Sequence, residues 1–520
     1  MSIAKRILNN TIYGALGRFW LIGVNLFLTP FILSYLGDEK FGIWALFWAL
    51  AAYFMLMDMG LGVSLVRRIA SLCEKNDIKS INQAMVSVLS FILITGLALW
   101  VMGYALAQLL LSTYPVSQEH MVDVNAIIMW ACPALLLVAI IRIFDSFLRG
   151  IQRFGMISAI AFVVSFINIG TVYTALESGL GISGLMYATV LTYTCHVLVL
   201  WYYARQAQPK LSLFIGHVCW RELKTMFPLG VRIQVARLAE LASYQSDKIL
   251  LAMFMPISYV TFYDLGSKVA SVIRDATYTF TGAVFPVAAQ IQARGEQAQL
   301  WYMYERGSKY LVMFTTPALA LMLLTAPMLL GAWLGHVSKD VLRAVWLLSL
   351  AYWVIVNMSM AFTVGTALDW AKPIMRGALL QTILNIGLSA WLIISYGFIG
   401  ALLGTLLAVS FSKAYVMHCF YRDFNRSIYP DMKLLVNVFL VNVPAILLTL
   451  WAIRWLELNF DFSIRSEAFS SWCIAICVYA VAYLLTVRLS GLLDQKDYQL
   501  LNNHIPFVHV LIKRKHHYDE

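Results

Sequence analysis

Apolar runs of about 20 residues or more follow one another along nearly the whole chain, separated by short polar stretches. A run of that length matches the hydrocarbon thickness of a bilayer when it is wound as an α-helix. The pattern predicts spans near 11–36, 41–65, 83–112, 122–148, 155–176, 181–204, 225–247, 256–286, 307–333, 342–366, 374–395, 398–420, 434–455 and 469–488. Composition agrees, since 61% of the 520 residues are hydrophobic and 12% are charged. A soluble domain carries roughly 45–50% apolar and about 25% charged residues. The expected fold class is therefore an all-α polytopic membrane protein with about 14 transmembrane helices. The longest hydrophilic stretches fall near 205–224, 287–306, 421–433 and the C-terminal tail, and no soluble domain is inserted between spans.

The formal net charge of +11 sits in these short loops, where it reports orientation rather than nucleic-acid binding. With the N-terminus placed in the cytoplasm and sides alternating, roughly 25 Lys and Arg fall inside and roughly 6 outside. That asymmetry supports an even number of spans with both termini cytoplasmic. Lys5 and Arg6 ahead of the first span imitate a signal peptide, but the apolar stretch that follows is too long for one and is read as a retained span. The seven cysteines fall mostly in or beside apolar spans and show no zinc-site spacing, so neither a metal nor another cofactor is expected. His516-His517 beside Lys513-Arg514-Lys515 reads as a tail lying on anionic headgroups.

The chain also repeats itself. Phe166-Ile167-Asn168-Ile169-Gly170 in the fifth span answers to Ile383-Leu384-Asn385-Ile386-Gly387 in the eleventh, about 217 residues later. Glycine-rich turns follow both, at 179–184 and at 397–400. The expectation is two six-helix lobes in parallel pseudo-repeat plus two C-terminal helices, the lobes being related by an axis along the membrane normal. The boundaries are 1–204 for the first lobe, 205–224 for a cytoplasmic linker, 225–421 for the second lobe, 434–488 for two accessory helices and 489–520 for a basic tail.

Several motifs carry a family resemblance. Asn9 precedes span one, Pro30 lies in it, and Leu36-Gly37-Asp38-Glu39-Lys40-Phe41-Gly42-Ile43-Trp44 forms the first turnaround. Asp58-Met59-Gly60-Leu61-Gly62 closes the second span, with Arg67-Arg68 beyond it and Tyr263-Asp264-Leu265-Gly266 after span seven. This order resembles the Wzx-type polysaccharide-biosynthesis flippases of the multidrug/oligosaccharidyl-lipid/polysaccharide exporter superfamily. The resemblance implies a bacterial inner-membrane protein that is not an enzyme. It implies as partners a polyprenyl-diphosphate-linked oligosaccharide, membrane lipids and polysaccharide-assembly proteins. It further implies alternating access around a cleft bordered by the first two spans of each lobe.

Ionisable residues inside spans are costly and are therefore the candidate site. They are Arg18, Asp58, Arg142, Asp145, Arg232, Arg237, Glu240, Asp264, Lys268, Arg274 and Asp275. Arg142 and Asp145 lie three apart on one helix face, Asp264 and Lys268 four apart, and Arg237 and Glu240 three apart. Shifted by about 218, Arg18 falls beside Arg237 and Asp58 beside Asp275. With the cleft that the resemblance implies, Arg18, Arg142, Arg232, Arg237 and Arg274 are expected to bind the substrate diphosphate, because a guanidinium forks onto phosphate oxygens and stays charged when partly buried. Asp58, Asp145, Glu240, Asp264, Lys268 and Asp275 are candidates for ion coupling or for structural pairing, with pairing to arginine favoured for Asp58 and Asp275. Tyr244 and Tyr263, near the charged faces, offer rings on which a sugar can stack. A drug or small-solute antiporter of the same superfamily and a membrane glycan polymerase or ligase are the alternatives. The first would favour an acidic cavity and the second a large outer loop, and the sequence shows an arginine excess and short loops. The chain lacks a phosphate-binding Gly-Lys-Ser/Thr loop.

Overall fold

The computed structural model describes residues 3–54, 58–113, 118–494 and 497. Every regular element among them is helical: α1 (Ile3–Phe54), α2 (Leu61–Glu74), α3 (Ile78–Thr113), α4 (Gln118–Gly150), α5 (Phe154–Glu177), α6 (Gly181–Ala207), α7 (Trp220–Phe254), α8 (Ser258–Ala293), α9 (Gln297–Leu334), α10 (Lys339–Asn357), α11 (Ser359–Ala367), α12 (Ala371–Tyr396), α13 (Phe398–Asp423), α14 (Tyr429–Asn459) and α15 (Arg465–Ser490), with one 3₁₀ turn at Ile215–His217. Eleven segments among the described residues are long and apolar enough to cross a membrane. The chain is a multi-pass membrane protein.

The eleven differ from the expected fourteen for physical reasons. Two expected spans share α1, whose backbone leaves helical geometry at Gly37 (φ 71°, ψ 175°). α7 and α8 are 35 and 36 residues long but carry the intramembrane charges, which lowers their hydropathy. The second expected span, 41–65, is also not continuous. Among the described residues α1 runs to Phe54 and α2 begins at Leu61, and between them Met59 (φ 45°) and Gly60 (φ 70°) are in the left-handed region. α2 then buries Leu61, Leu65, Ile69 and Leu72 along one stripe, as a helix of period 3.6 must when only one face packs.

The chain divides into two compact units, Met1–Asp264 and Leu265–Glu520. In the first, the α2 stripe meets Met85 and Val88 of α3 and Phe144, Phe147 and Leu148 of α4 in one apolar core. In the second, α12 and α13 form the most closely packed hairpin, and α14 and α15 both lie against α9. Small residues make the α12–α13 approach possible. A Cβ on Gly400 would sit 2.0 Å from the Leu392 carbonyl oxygen, and one on Gly404 2.5 Å from Ser389 Oγ. The repeat surfaces here as geometry. Gly181 opens α6 at φ 55° and Gly397 caps α13 at φ 58°, and three residues on, Gly184 and Gly400 each press against the preceding helix.

α9 is also tied to α15 by side-chain hydrogen bonds. Arg465 of α15 donates to the Leu334 carbonyl at 3.1 Å, and Tyr483 Oη donates to the Met313 carbonyl at 2.8 Å. The basic tail beyond residue 497, including His516 and His517, lies outside the described residues.

Candidate functional site

The interruption between α1 and α2 positions the first charged group. Asp58 sits in the break and is 6% exposed. Its Oδ1 accepts the Gly60 N–H at 3.0 Å, closing a short local turn. Both glycines of the Asp-Met-Gly-Leu-Gly motif then have a steric cause. A Cβ on Gly60 would lie 2.2 Å from the Gly230 carbonyl oxygen of α7, and one on Gly62 would lie 3.2 Å from Asp58 Oδ2. Glycine thus lets α7 and the break touch backbone to backbone, and lets the carboxylate fold back over α2.

Across from it, Arg142 of α4 brings Nη1 to 3.9 Å from Asp58 Oδ2. That is an ion pair without a direct hydrogen bond between these atoms. A cavity of about 20 Å³ lies here, walled by Phe54, Asp58, Ile92, Gly96, Leu135, Leu136, Val138, Ala139 and Arg142. It is large enough for a water molecule between the two charges. An apolar cavity of about 190 Å³ adjoins it, sharing Phe54, Gly96, Leu135 and Leu136 and adding Phe47, Trp100 and Tyr104.

Two further buried groups join helices of the same unit. At the α7–α8 turn, Lys248 Nζ donates to Asp264 Oδ1 at 2.5 Å and Tyr263 Oη donates to Asp247 Oδ2 at 2.7 Å. Neighbouring residues on each helix thus reach neighbouring residues on the other. The bent α1 rests on this turn: Thr261 Oγ1 donates to the Asp38 carbonyl at 2.6 Å. At the other end of α7, Arg68 of α2 grips Glu222 through Nε–Oε2 at 2.8 Å and Nη2–Oε1 at 2.9 Å. Glu222 is 3% exposed, so this bidentate pair is a fixed joint. In the second unit, Arg274 Nε bonds Asp275 Oδ1 at 3.0 Å, and its guanidinium lies 4.7 Å from the Tyr352 ring centroid.

The structure therefore sorts the expected residues. Asp58 lies 3.9 Å from the Arg142 guanidinium and Asp275 lies 3.0 Å from that of Arg274. Arg142 reaches across to Asp58, although Asp145 lies three residues from it on the same helix. Asp145 Oδ1 is buried with no hydrogen-bond partner among the described residues. Asp264 takes Lys248, sixteen residues back, and Lys268 is half-buried four residues further along α8. Arg18 lies on α1, and Arg232, Arg237 and Glu240 lie on α7, with their side chains outside the described part. Tyr263 is a correction: at 2% exposure and bonded to Asp247, it has no face for a sugar. Tyr244 is half-buried.

Sequence reasoning missed Arg68–Glu222, Asp247–Tyr263 and the Lys248 partnership. The first left a trace, an acid in the first turn of α7 and an arginine pair within α2. The others had none, because their partners meet only after α7 and α8 fold against one another.

Solved structures share this architecture. A lipid II flippase MurJ in an inward closed conformation superposes with a TM-score of 0.68 at 16% identity, covering 92% of this chain and 98% of that one. An inward-facing multidrug-resistance MATE transporter of the MOP superfamily gives 0.65 at 16% identity, covering 77% and 94%. A MATE transporter of Vibrio cholerae gives 0.57 at 15% identity, covering 82% and 97%. At these identities the likeness is one of fold. No curated protein sequence matches. The profile of one family does match, over residues 7–292, more than half of the chain. With a break at Asp58 and paired charges threaded through a flippase and transporter fold, this chain belongs to the polysaccharide biosynthesis protein family.

Proposed function

We propose that this protein is a flippase that carries a polyprenyl-diphosphate-linked oligosaccharide, a surface-polysaccharide precursor, from the inner to the outer leaflet of a bacterial inner membrane. The observation that carries the reading is a polysaccharide-biosynthesis chain built on the fold of a lipid flippase along 92% of its length. The lysine and arginine asymmetry supports cytoplasmic N- and C-termini. The lobes are residues 1–204 and 225–421, and they alternate access with helices 434–488 as accessories and 489–520 as the tail. Arg18, Arg142, Arg232, Arg237 and Arg274 are the headgroup contacts in this reading.

Arg142 is the best supported of these by geometry. It is 38% exposed, and its Asp58 partner sits at ion-pair rather than hydrogen-bond distance. A diphosphate carries more charge than one cation can neutralise in a medium of low dielectric, which is why several arginines are assigned to it. Asp58 holds Arg142 between transport events and limits its affinity for the departing headgroup.

The test is depletion in the native bacterium, with lipid-linked oligosaccharide on the inner leaflet quantified in spheroplasts as the fraction protected from an impermeant glycosidase. Accumulation that wild type reverses, and Arg142→Ala does not at equal protein level, is the expected result. Reversal by both would keep the flippase and remove Arg142 from the mechanism. Without accumulation, and with surface polysaccharide unchanged, the flippase reading falls and small-solute export on the MATE-like fold takes its place.

A further inference from the structure

After α15 the chain turns back on the left-handed Gly491 (φ 69°) and folds a short acidic turn against α9. Asp494 and Asp497 close that turn reciprocally. Each backbone N–H donates to the other's carboxylate at 2.9 Å. Their remaining acceptor capacity goes to three donors spaced along α9. Arg306 Nη1 lies 2.6 Å from Asp494 Oδ2 and 2.8 Å from Asp497 Oδ1. Tyr310 Oη donates to Asp497 Oδ1 at 2.7 Å, and Lys309 Nζ bonds Asp497 Oδ2 and stands 3.8 Å from Asp494.

Three features make this more than a surface ion pair. The three donors converge on a single point, the Asp497 carboxylate, whose side chain is 1% exposed. The donors are held in place: Arg306 and Lys309 are 19% and 15% exposed, and the Arg306 guanidinium lies 5.4 Å from the Tyr302 ring centroid. The occupant is divided between a buried half and an open half, because the Asp494 side chain is 46% exposed. A guanidinium, an ammonium and a phenol aimed at one spot offer only donors and two positive charges. That set suits a dianionic group with several oxygens close together, which a phosphate provides in one group and the chain provides with two carboxylates.

We propose that Arg306, Lys309 and Tyr310 form a phosphate-binding site, and that the Asp494–Asp497 turn is its intramolecular occupant, displaced when a phosphate group enters from the exposed Asp494 side. The site belongs to the second unit and is independent of the cargo assigned above. The phosphate can come from an anionic lipid headgroup beside the N-terminal end of α9 or from a soluble diphosphate.

Trypsin reports the exchange directly, because in the sequence Lys496 immediately precedes Asp497, so the bond it cleaves leads into a residue whose side chain is buried. The full chain is placed in phosphatidylcholine nanodiscs, and cleavage after Lys496 is timed with pyrophosphate, and with sodium chloride at matched ionic strength. A second set of nanodiscs contains phosphatidylglycerol and no free anion. Wild type is expected to be cut at least fivefold faster with pyrophosphate, with phosphatidylglycerol, or with both. Acceleration only in the lipid arm assigns the headgroup source, and acceleration only by pyrophosphate assigns the soluble one. Arg306→Gln/Lys309→Gln should be cut rapidly without any anion and gain nothing from one. Asp494→Asn should lower the pyrophosphate concentration required. Equal acceleration by sodium chloride, or none in either arm, would overturn the proposal and leave the turn as a fixed structural pin.

Discussion

The Lys248–Asp264 pair offers a quantitative test of how charge is tolerated in this fold. Both side chains are close to fully enclosed, at 11% and 9% exposure, and their atoms meet at 2.5 Å. Removing one partner deprives the other of its close counter-charge in a low-dielectric setting, which costs about 3–5 kcal/mol. Removing both costs far less, because neither charge of the pair is left without its counterpart. Lys248→Met and Asp264→Asn should therefore each destabilise strongly, and the double variant should be milder than either. A unit of 264 residues loses about 2 °C of Tm per kcal/mol, so each single variant should fall by about 6–10 °C and the double by less than about 4 °C. Thermal unfolding of the purified protein, followed by intrinsic tryptophan fluorescence in one detergent, gives all four corners of the cycle. Shifts that simply add would refute the pairing argument, since coupled partners must depart from additivity.

Two more consequences follow from close contacts. Gly60→Ala places a Cβ at φ 70° and 2.2 Å from the Gly230 carbonyl, so α2 must separate from α7. Loss of folded protein in the membrane fraction is expected, whereas Gly23→Ala, with nothing within 4 Å of its Cβ, should express like wild type. The acidic turn also has a defined pH range. Burial pushes the Asp494 carboxyl up, but the Asp497 N–H, Arg306 and Lys309 outweigh it and bring the carboxyl down to about 2. A carboxylate lowered in the folded state contributes stability above its ordinary range near 3.8 and loses it as pH falls through about 2. Protection of the Asp497-containing turn against hydrogen exchange should accordingly be flat from pH 5 to 8 and weaken only in strong acid. A midpoint near neutrality would contradict this arrangement of charges.

What the sequence made legible follows from periodicity and local steric need. Apolar runs gave the spans, and Asn168 and Asn385 with their following glycines gave the two hairpins now seen as α5–α6 and α12–α13. The Asp58 motif was visible as a feature at the close of the second expected span, and the left-handed backbone at Met59 and Gly60 breaks the helix there between α1 and α2. Charge partners were the least legible part. Spacing on one helix suggested Arg142 with Asp145, whereas Arg142 meets Asp58, 84 positions away. In lipid the lateral pairing of helices is chosen by small residues and polar contacts at their interface, and an apolar run carries little record of which neighbour it will meet.

The clasp between α9 and the turn after α15 has a consequence for biosynthesis. Arg306 and its acceptor Asp497 are separated by 191 residues. At about 5–20 residues per second, a ribosome delivers Asp497 on the order of 10–40 s after Arg306. Asp431, which accepts Tyr304 Oη of the same helix at 2.7 Å, arrives 127 residues after its donor. Throughout that interval α9 is in the membrane with its cations lacking the carboxylates they will finally hold. Water and lipid phosphates at the bilayer surface are the groups able to answer them, so the nascent helix meets its membrane before it meets its own C-terminus.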